Sequence, residues 1–216
     1  MLPQAPERSP TYDRPVGIPY DTNCTPPSER GAVVGLGDVG LPVALDFARH
    51  FPKSLGFDVD AAKVAELRRG FDGIGEITHE FMVTSTLTIT DDPAGLPDAL
   101  FVLVAAPTSI GGNRRPAHGS LCWASKLISR SLRTGSVVVN ESTAYPGVTE
   151  DVCGPNLERA SGLGRGHDFT PGSSPARINP GDHDHTLKRF VDFVAGEDAA
   201  ALDPTPLPIG LEYWSL

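Results

Sequence analysis

The sequence predicts an α/β protein with a doubly wound, mostly parallel sheet and helices on both faces. Three observations predict this class. Short apolar segments alternate with helical patterns, as they do in βαβ units. One of those segments, residues 100–104, is continuously apolar, which is typical of a strand buried on both faces, and residues 137–140 predict another buried strand. A glycine-rich turn at residues 31–40 joins the first apolar segment to the first helical pattern.

Each predicted element has a local reason. The predicted strands are residues 32–34, 54–57, 86–90, 100–104 and 137–140. The predicted helices are residues 41–50, 61–69, 121–133 and 146–160. Pro42 is compatible with the first helix because a first-turn N–H has no partner within the helix. Asp60 suits the N-cap of the second helix and Gly70 its end, whereas Gly154 and Pro155 interrupt the pattern of the last one.

The ends of the chain lack such patterns. Residues 1–30 contain seven prolines and bury too little apolar surface to offset the entropy of ordering, so we expect a disordered leader. A single domain is predicted over residues 31–198, followed by an irregular tail at 199–216. Within the domain, residues 169–181 have the composition of a loop, and residues 187–194 fit a strand or a helix.

The composition narrows the class of protein. Hydrophobic residues make up 39% of the 216 positions, which is sufficient for a core, and the formal net charge is −9. That charge argues against non-specific binding to nucleic acid or anionic membranes, and the apolar runs are too short to span a bilayer. Cys24, Cys122 and Cys153 show neither paired nor zinc-finger spacing, which favours a reducing compartment. We therefore expect a soluble cytoplasmic protein with no nucleic-acid or membrane partner.

The glycine turn has the G-x-G-x-x-G spacing of a dinucleotide-binding turn. Gly35 permits the tight strand-to-helix turn, Gly37 lets a pyrophosphate approach the backbone, and Gly40 lets the helix pack close to the strand. The free N–H groups at the helix start would face the phosphates. Taken alone, the pattern also fits a turn without a ligand. The residues assigned to the cofactor from this turn are Gly35, Leu36, Gly37, Asp38, Val39 and Gly40.

Asp58 supplies the context that the turn needs. It ends the second predicted strand, 18 residues after Gly40. In a dinucleotide-binding fold this is the place of the carboxylate that binds the adenosine ribose. A carboxylate there favours NAD over NADP, whose 2′-phosphate it would repel. The alternative is a solvated acid in a loop. With the turn, Asp58 predicts a Rossmann-type NAD-binding domain.

Two further segments follow buried strands at the same edge of the predicted sheet. Pro107 and Thr108 follow one strand, and Glu141, Ser142 and Thr143 follow the next. Ligands bind at this edge in open α/β sheets, so all five are candidate cofactor residues. The hydroxyl groups serve equally well to satisfy backbone groups of a turn, and the pattern does not decide between these roles.

The histidines do not predict a metal site. Only His183 and His185 are close together, without the spacing of a structural zinc site. The candidates, scattered across polar loops, are His79, His118, His167, His183 and His185. Solvated loops account for them better. Cys122 and Cys153 lie on predicted helices, where buried small side chains are the expected role.

At this point the sequence resembles a known family. The motif GLGDVGLP at residues 35–42 is similar to the cofactor turn of the nucleotide-sugar 6-dehydrogenases, the UDP-glucose/GDP-mannose dehydrogenase family. Residues 57–58 and 107–108, ESTAYPG at 141–147 and SPARINPGD at 174–182 follow in that family's order. The last two motifs most resemble the branch that acts on UDP-N-acetylhexosamines.

The resemblance implies an activity. The family oxidises the C6 alcohol of a nucleotide sugar to a carboxylate with two NAD⁺, through a cysteine-bound thiohemiacetal and thioester. In the UDP-N-acetylhexosamine branch this reaction serves surface polysaccharide synthesis. It implies that Thr108 lines the nicotinamide side and that Thr143 positions the hydrolytic water. Arg177 and Asn179 would face the sugar of the UDP-sugar substrate.

The departures from the family pattern qualify that activity. Asp38 stands where the family has Tyr, and Ala176 stands where it has a catalytic Glu. No cysteine lies in the Gly-Phe-Gly-Gly context of the family's nucleophile. We therefore expect a truncated NAD-binding part that is inactive alone. The alternatives are a non-enzymatic NAD-binding remnant and one half of a split enzyme acting through a second chain; a homo-oligomer is compatible with each. A 2-hydroxyacid-type dehydrogenase would need a His–carboxylate pair after the Rossmann-type unit, and nothing after Gly162 offers a convincing one.

Overall fold

The computed structural model describes residues 30–50, 53–75, 77–107, 119–141, 147–173, 193–196 and 212–213. Its strands are β1 Arg30–Val34, β2 Leu55–Phe57, β3 Thr88–Thr90, β4 Ala99–Val104, β5 Ser136–Asn140, β6 Phe169–Ser173, β7 Phe193–Gly196 and β8 Glu212–Tyr213. Its α-helices are α1 Gly40–His50, α2 Ala61–Arg68, α3 His79–Thr84, α4 Gly119–Ser129 and α5 Gly154–Ser161. A 3-10 helix spans Pro93–Asp98 and a π-helical turn spans Thr149–Cys153.

The described strands form one sheet with the order β3-β2-β1-β4-β5-β6-β7-β8. The first six pair in parallel, β7 pairs antiparallel with β6, and β8 is parallel to β7. The central strand, β1, pairs on one side with β2 and on the other with β4, and Val33 lies opposite Gly56 and Leu103. The predicted α/β class with a doubly wound, mostly parallel sheet is confirmed.

Successive side chains of a strand point to opposite sides of the sheet, and a buried core lies on each side. Val34 belongs to a core that includes Leu121 of α4 and Leu157 of α5. Val33 belongs to a second core that includes Leu45 of α1 and Leu67 of α2. Helices therefore cover both faces. None of the helices in the described part of the chain has the length and apolarity needed to cross a bilayer.

The prediction of a loop from residue 169 is wrong for its first part, which is β6. Phe169 is buried in the core, and β6 pairs with β5 along all five residues. Pro171 is tolerated because β7 pairs only with the two residues that follow it. The irregular tail was likewise not expected to contain a strand, yet Glu212–Tyr213 is one. The described end of segment 187–194 is strand, since β7 begins at Phe193. The predicted leader lies outside the described residues except for Arg30, which begins β1 and was not expected to be ordered.

Several helix boundaries differ from the prediction. Helix α4 ends at Ser129 instead of residue 133. The chain then turns towards β5, and the Arg133 N–H donates to Oγ of Ser136, the first residue of that strand (3.1 Å). Helix α5 follows the π-helical turn without a break, since Pro155 lies in its first turn and needs no N–H donor. Helix α3 and the 3-10 helix were not predicted; the side chains of Thr78 and Asp92 cap them.

The close approach of α1 to β1 yields a stability prediction. A Cβ added at Gly40 would overlap the Gly35 carbonyl oxygen and lie 3.0 Å from Ala105 Cβ. We expect Gly40→Ala to lower the free energy of unfolding by about 1–3 kcal/mol, as overpacking does, measured by urea denaturation. Gly37→Ala is the matched control, because no heavy atom lies within 4 Å of its added Cβ. Its effect should stay within about 0.5 kcal/mol, and equal effects of both variants would contradict this packing argument.

Candidate functional site

A cleft of about 710 Å³ lies at the carboxyl ends of β1, β2, β4 and β5. The glycine turn after β1 and the residues after β2 line one part of it. The segments after β4 and β5 and the first turns of α4 line the rest. This is the edge at which open α/β sheets bind ligands.

The glycine turn has a conformation that glycine makes accessible. Gly35 has a φ of +98°, and a Cβ there would lie 2.5 Å from the Ala105 carbonyl oxygen. The Gly35 N–H donates to the Phe57 carbonyl oxygen (2.8 Å), which ties the turn to the end of β2. The side chain of Leu36 is fully buried in the core, whereas Gly37 borders the cleft with open space beside it. The turn is therefore anchored to the core through Leu36 and open to the cleft at Gly37.

Asp58, directly after β2, connects three parts of the site. Its Oδ2 accepts hydrogen bonds from the Leu36 N–H (2.9 Å) and the Lys63 ammonium (2.8 Å). Its Oδ1 accepts one from the Asp60 N–H (3.0 Å). Burial by itself raises the pKa of the carboxyl group, but the ammonium and the two N–H donors outweigh burial and hold the pKa of Asp58 below its ordinary value. Asp58 is thus a charged, oriented carboxylate at neutral pH.

The structure brings several predicted site residues to the cleft. Asp38 is exposed and Val39 is half-buried at its border. Pro107 and Glu141 line the side that belongs to β4 and β5, and Glu141 is buried there. Leu36 contributes differently, since its N–H is committed to Asp58. The predicted residues Thr108, Ser142, Thr143, Arg177 and Asn179, and the departure at Ala176, lie outside the described residues.

Among the cleft residues that were not predicted from the sequence, Lys63 and Trp123 bear most directly on ligand binding. Lys63 lies in the first turn of α2 and pairs with Asp58; its spacing of five residues from Asp58, just past the N-cap, was the available signal. Trp123 of α4 is half-exposed and also lines the cleft. Nothing in its helical pattern distinguished it from a core residue.

The cysteines and histidines of the described segments lie apart from this chemistry. Cys153 is buried, as predicted, and burial raises the pKa of its thiol. Cys122 is only half-buried, because its part of α4 is not fully covered, so the prediction of burial is wrong there. Among the described residues no group of three or more potential ligands forms a metal site. His183 and His185 lie outside them.

These features fit a dinucleotide cofactor. The open space at Gly37 admits a phosphate close to the backbone, and the N-terminus of α1 favours negative charge. The oriented carboxylate of Asp58 at the end of β2 suits the hydroxyl groups of a ribose.

The chain is similar in sequence to known proteins. The chain is 40% identical over 172 residues to the protein CapL of Staphylococcus aureus, covering 80% of this chain and 40% of that protein. It is 40% identical over 166 residues to the UDP-N-acetyl-D-glucosamine 6-dehydrogenase of Pseudomonas aeruginosa, covering 76% and 39% of the two. The chain therefore spans about 40% of the length of these relatives.

A solved structure and a family model extend the comparison. The structure of the UDP-D-ManNAc dehydrogenase of Pyrococcus horikoshii superposes with a TM-score of 0.75 at 26% identity, covering 86% of this chain and 46% of that one. Residues 29–200 match the model of the "UDP-glucose/GDP-mannose dehydrogenase family, NAD binding domain". Because that match extends over most of the 216 residues, the chain belongs to the UDP-glucose/GDP-mannose dehydrogenase family and carries its NAD-binding domain.

Proposed function

We propose that this domain serves an NAD-dependent dehydrogenase that oxidises the C6 alcohol of a UDP-N-acetylhexosamine to a carboxylate for surface polysaccharide synthesis. The observation that carries the proposal is the 40% identity to a UDP-N-acetyl-D-glucosamine 6-dehydrogenase, in a chain whose cleft fits a dinucleotide. The sparse cysteines favour a reducing compartment, and we assign the protein to the cytoplasm on that ground.

The Asp58–Lys63 pair is the proposed site for the adenosine ribose. An ionised carboxylate has about four acceptor positions, and three of those of Asp58 are occupied by protein donors. The remaining position is on Oδ1. The Lys63 ammonium has three N–H donors, of which Asp58 takes one. The pair therefore accepts a hydrogen bond from one ribose hydroxyl group and donates one to the other.

The glycine turn is the proposed site for the pyrophosphate. The Leu41 N–H donates to the Gly37 carbonyl oxygen (3.0 Å), so the free N–H groups of the helix start lie before Leu41. Gly37 keeps the approach to them open. The carboxylate of Asp38 borders the same space and opposes a bound phosphate electrostatically.

When bound, NAD⁺ supplies the hydride acceptor for the sugar C6. We propose that Pro107, Thr108, Glu141 and Ser142 border the nicotinamide half. We assign the hydrolytic water to Thr143 and sugar contacts to Arg177 and Asn179. We likewise assign the nucleophilic cysteine and the remaining sugar pocket to the part of the relatives that this chain does not span. The second candidate is a domain that binds NAD without oxidising sugar itself, either as a remnant or together with a second chain. Asp38 and Ala176, the departures at the pyrophosphate and at the family's catalytic Glu, favour it.

Calorimetry and an activity assay test the proposal. The 216-residue chain should bind NAD⁺, and bind NADP⁺ more weakly, because Asp58 repels a 2′-phosphate. It should form no NADH from NAD⁺ and UDP-N-acetylglucosamine. An absence of NAD⁺ binding at millimolar cofactor would overturn the cofactor site. Substrate-dependent NADH absorbance from the chain alone would overturn the assignment of the nucleophile to the unspanned part.

Removing the charge of Asp38 should tighten cofactor binding. A carboxylate at about 4 Å from a phosphate charge in water costs about 1 kcal/mol, so Asp38→Asn should lower the Kd of NAD⁺ roughly fivefold. Asp91→Asn is the matched control, since Asp91 is similarly exposed but outside the cleft. The advantage of Asp38→Asn should shrink as salt is added. An unchanged or higher Kd at low salt would contradict the repulsion.

The Asp58 network should also stabilise the fold in a pH-dependent way. We expect Asp58→Asn to lower the free energy of unfolding by about 1–3 kcal/mol at neutral pH, because hydrogen bonds to a charged, buried acceptor are lost. The folded-state pKa of Asp58 is lowered, so its contribution is complete above the unfolded value, about 3.9, and declines as pH falls through the folded value.

Denaturation curves at several pH values measure this effect. The gap between wild type and Asp58→Asn should narrow below about pH 4. The exposed pair of Asp91 with Arg68 provides the control, and Asp91→Asn should change stability by at most about 0.5 kcal/mol. A gap that stays constant down to pH 3 would show that the charge of Asp58 does not contribute.

A further inference from the structure

Trp123 has an unusual position for a tryptophan. It lies on α4, whose neighbouring residues Leu121 and Ala124 are buried against the sheet, but 46% of its own surface is exposed. Six large hydrophobic residues are exposed in the described part of the chain, and of these only Trp123 and Val59 line the cleft. A large aromatic surface is therefore open to the cleft.

The indole ring of Trp123 is held in place by a buried partner. It stacks on Phe57, with ring centroids 6.5 Å apart and planes inclined by 21°. Phe57 is the last residue of β2 and is only 3% exposed. Because a near-parallel stack restricts the indole ring, Trp123 presents a pre-oriented surface, with little ordering entropy left for a ligand to offset.

The stack also fixes where along the cleft the indole ring lies. Phe57 directly precedes Asp58, the proposed ribose-binding carboxylate, so Trp123 lies at the ribose end. The adenine base of NAD is joined to that ribose by a single glycosidic bond. A base whose ribose binds Asp58 is therefore within reach of Trp123, whereas the nicotinamide lies beyond the pyrophosphate.

We infer that Trp123 is the stacking platform for the adenine of NAD, and that it sets the affinity of the adenosine half. This inference rests on the proposed placement of the ribose at Asp58. A flat π-system is matched by the flat face of a purine, which also explains why an apolar side chain of this size is left open beside charged groups. Val59, 68% exposed in the same cleft, adds apolar surface for the base.

Tryptophan fluorescence and calorimetry test the inference on the full chain. The chain has two tryptophans, Trp123 and Trp214, so the variant Trp214→Phe makes Trp123 the single indole reporter. AMP should change its fluorescence, and nicotinamide mononucleotide should not. Trp123→Leu should raise the Kd of NAD⁺ and AMP by roughly 5- to 100-fold, the range for loss of one base–aromatic stack. Trp123→Phe should retain most of the affinity, and Phe71→Leu, at an exposed aromatic outside the cleft, should change nothing.

Three results would overturn the stacking role of Trp123. Equal NAD⁺ affinity of wild type and Trp123→Leu would overturn the stacking role and leave the cofactor site intact. A loss in Trp123→Leu that is equal for AMP and nicotinamide mononucleotide would indicate general distortion of the cleft and also overturn it. A wild-type chain that binds no NAD⁺ would overturn both the stacking role and the proposed function.

Discussion

The carboxylate of Asp58 is the interaction on which the site depends. It accepts hydrogen bonds from the backbone of the first βα turn and from the start of the second, and it pairs with Lys63 of α2. The residue that supplies the Leu36 N–H is anchored in the core, because the Leu36 side chain is fully buried. One charged group therefore fixes two turns relative to each other. The carboxylate that we propose as the ribose site is therefore also the group that holds these two turns of the fold together.

The charges around the cleft divide into compensated and solvated ones. Asp58 is buried and neutralised by Lys63, at 2.8 Å, so it can remain ionised beside an anionic cofactor. Asp38 is exposed to water, which screens it. The net charge of −9 therefore does not decide whether the cleft accepts a dinucleotide. The local donors decide it, namely the N–H groups at the start of α1 and the ammonium of Lys63.

The elements that could be predicted from the sequence are those whose conformation is determined by neighbouring residues in the chain. Continuous apolar runs marked β4 and β5, and Asp60 marked the start of α2. Strand β6 was missed because its sequence, Phe-Thr-Pro-Gly-Ser, has turn composition; pairing with β5 and burial of Phe169 decide its conformation. Asp58 was found from its spacing, but its bond to Leu36 was not, since that contact spans 22 residues and depends on how the two turns meet. Trp123 was missed for the same reason.

The two walls of the cleft come from opposite faces of the sheet. The glycine turn leads to α1, which packs on one core, whereas α4 packs on the other. The distance between a ribose at Asp58 and a base on α4 is therefore set by how α4 sits against the end of β2. Phe57 makes that contact, because it belongs to the same core as Leu121 and Ala124 and stacks on Trp123. A residue that is almost inaccessible to solvent thereby determines where the adenine surface lies, and core packing on this face becomes part of cofactor recognition.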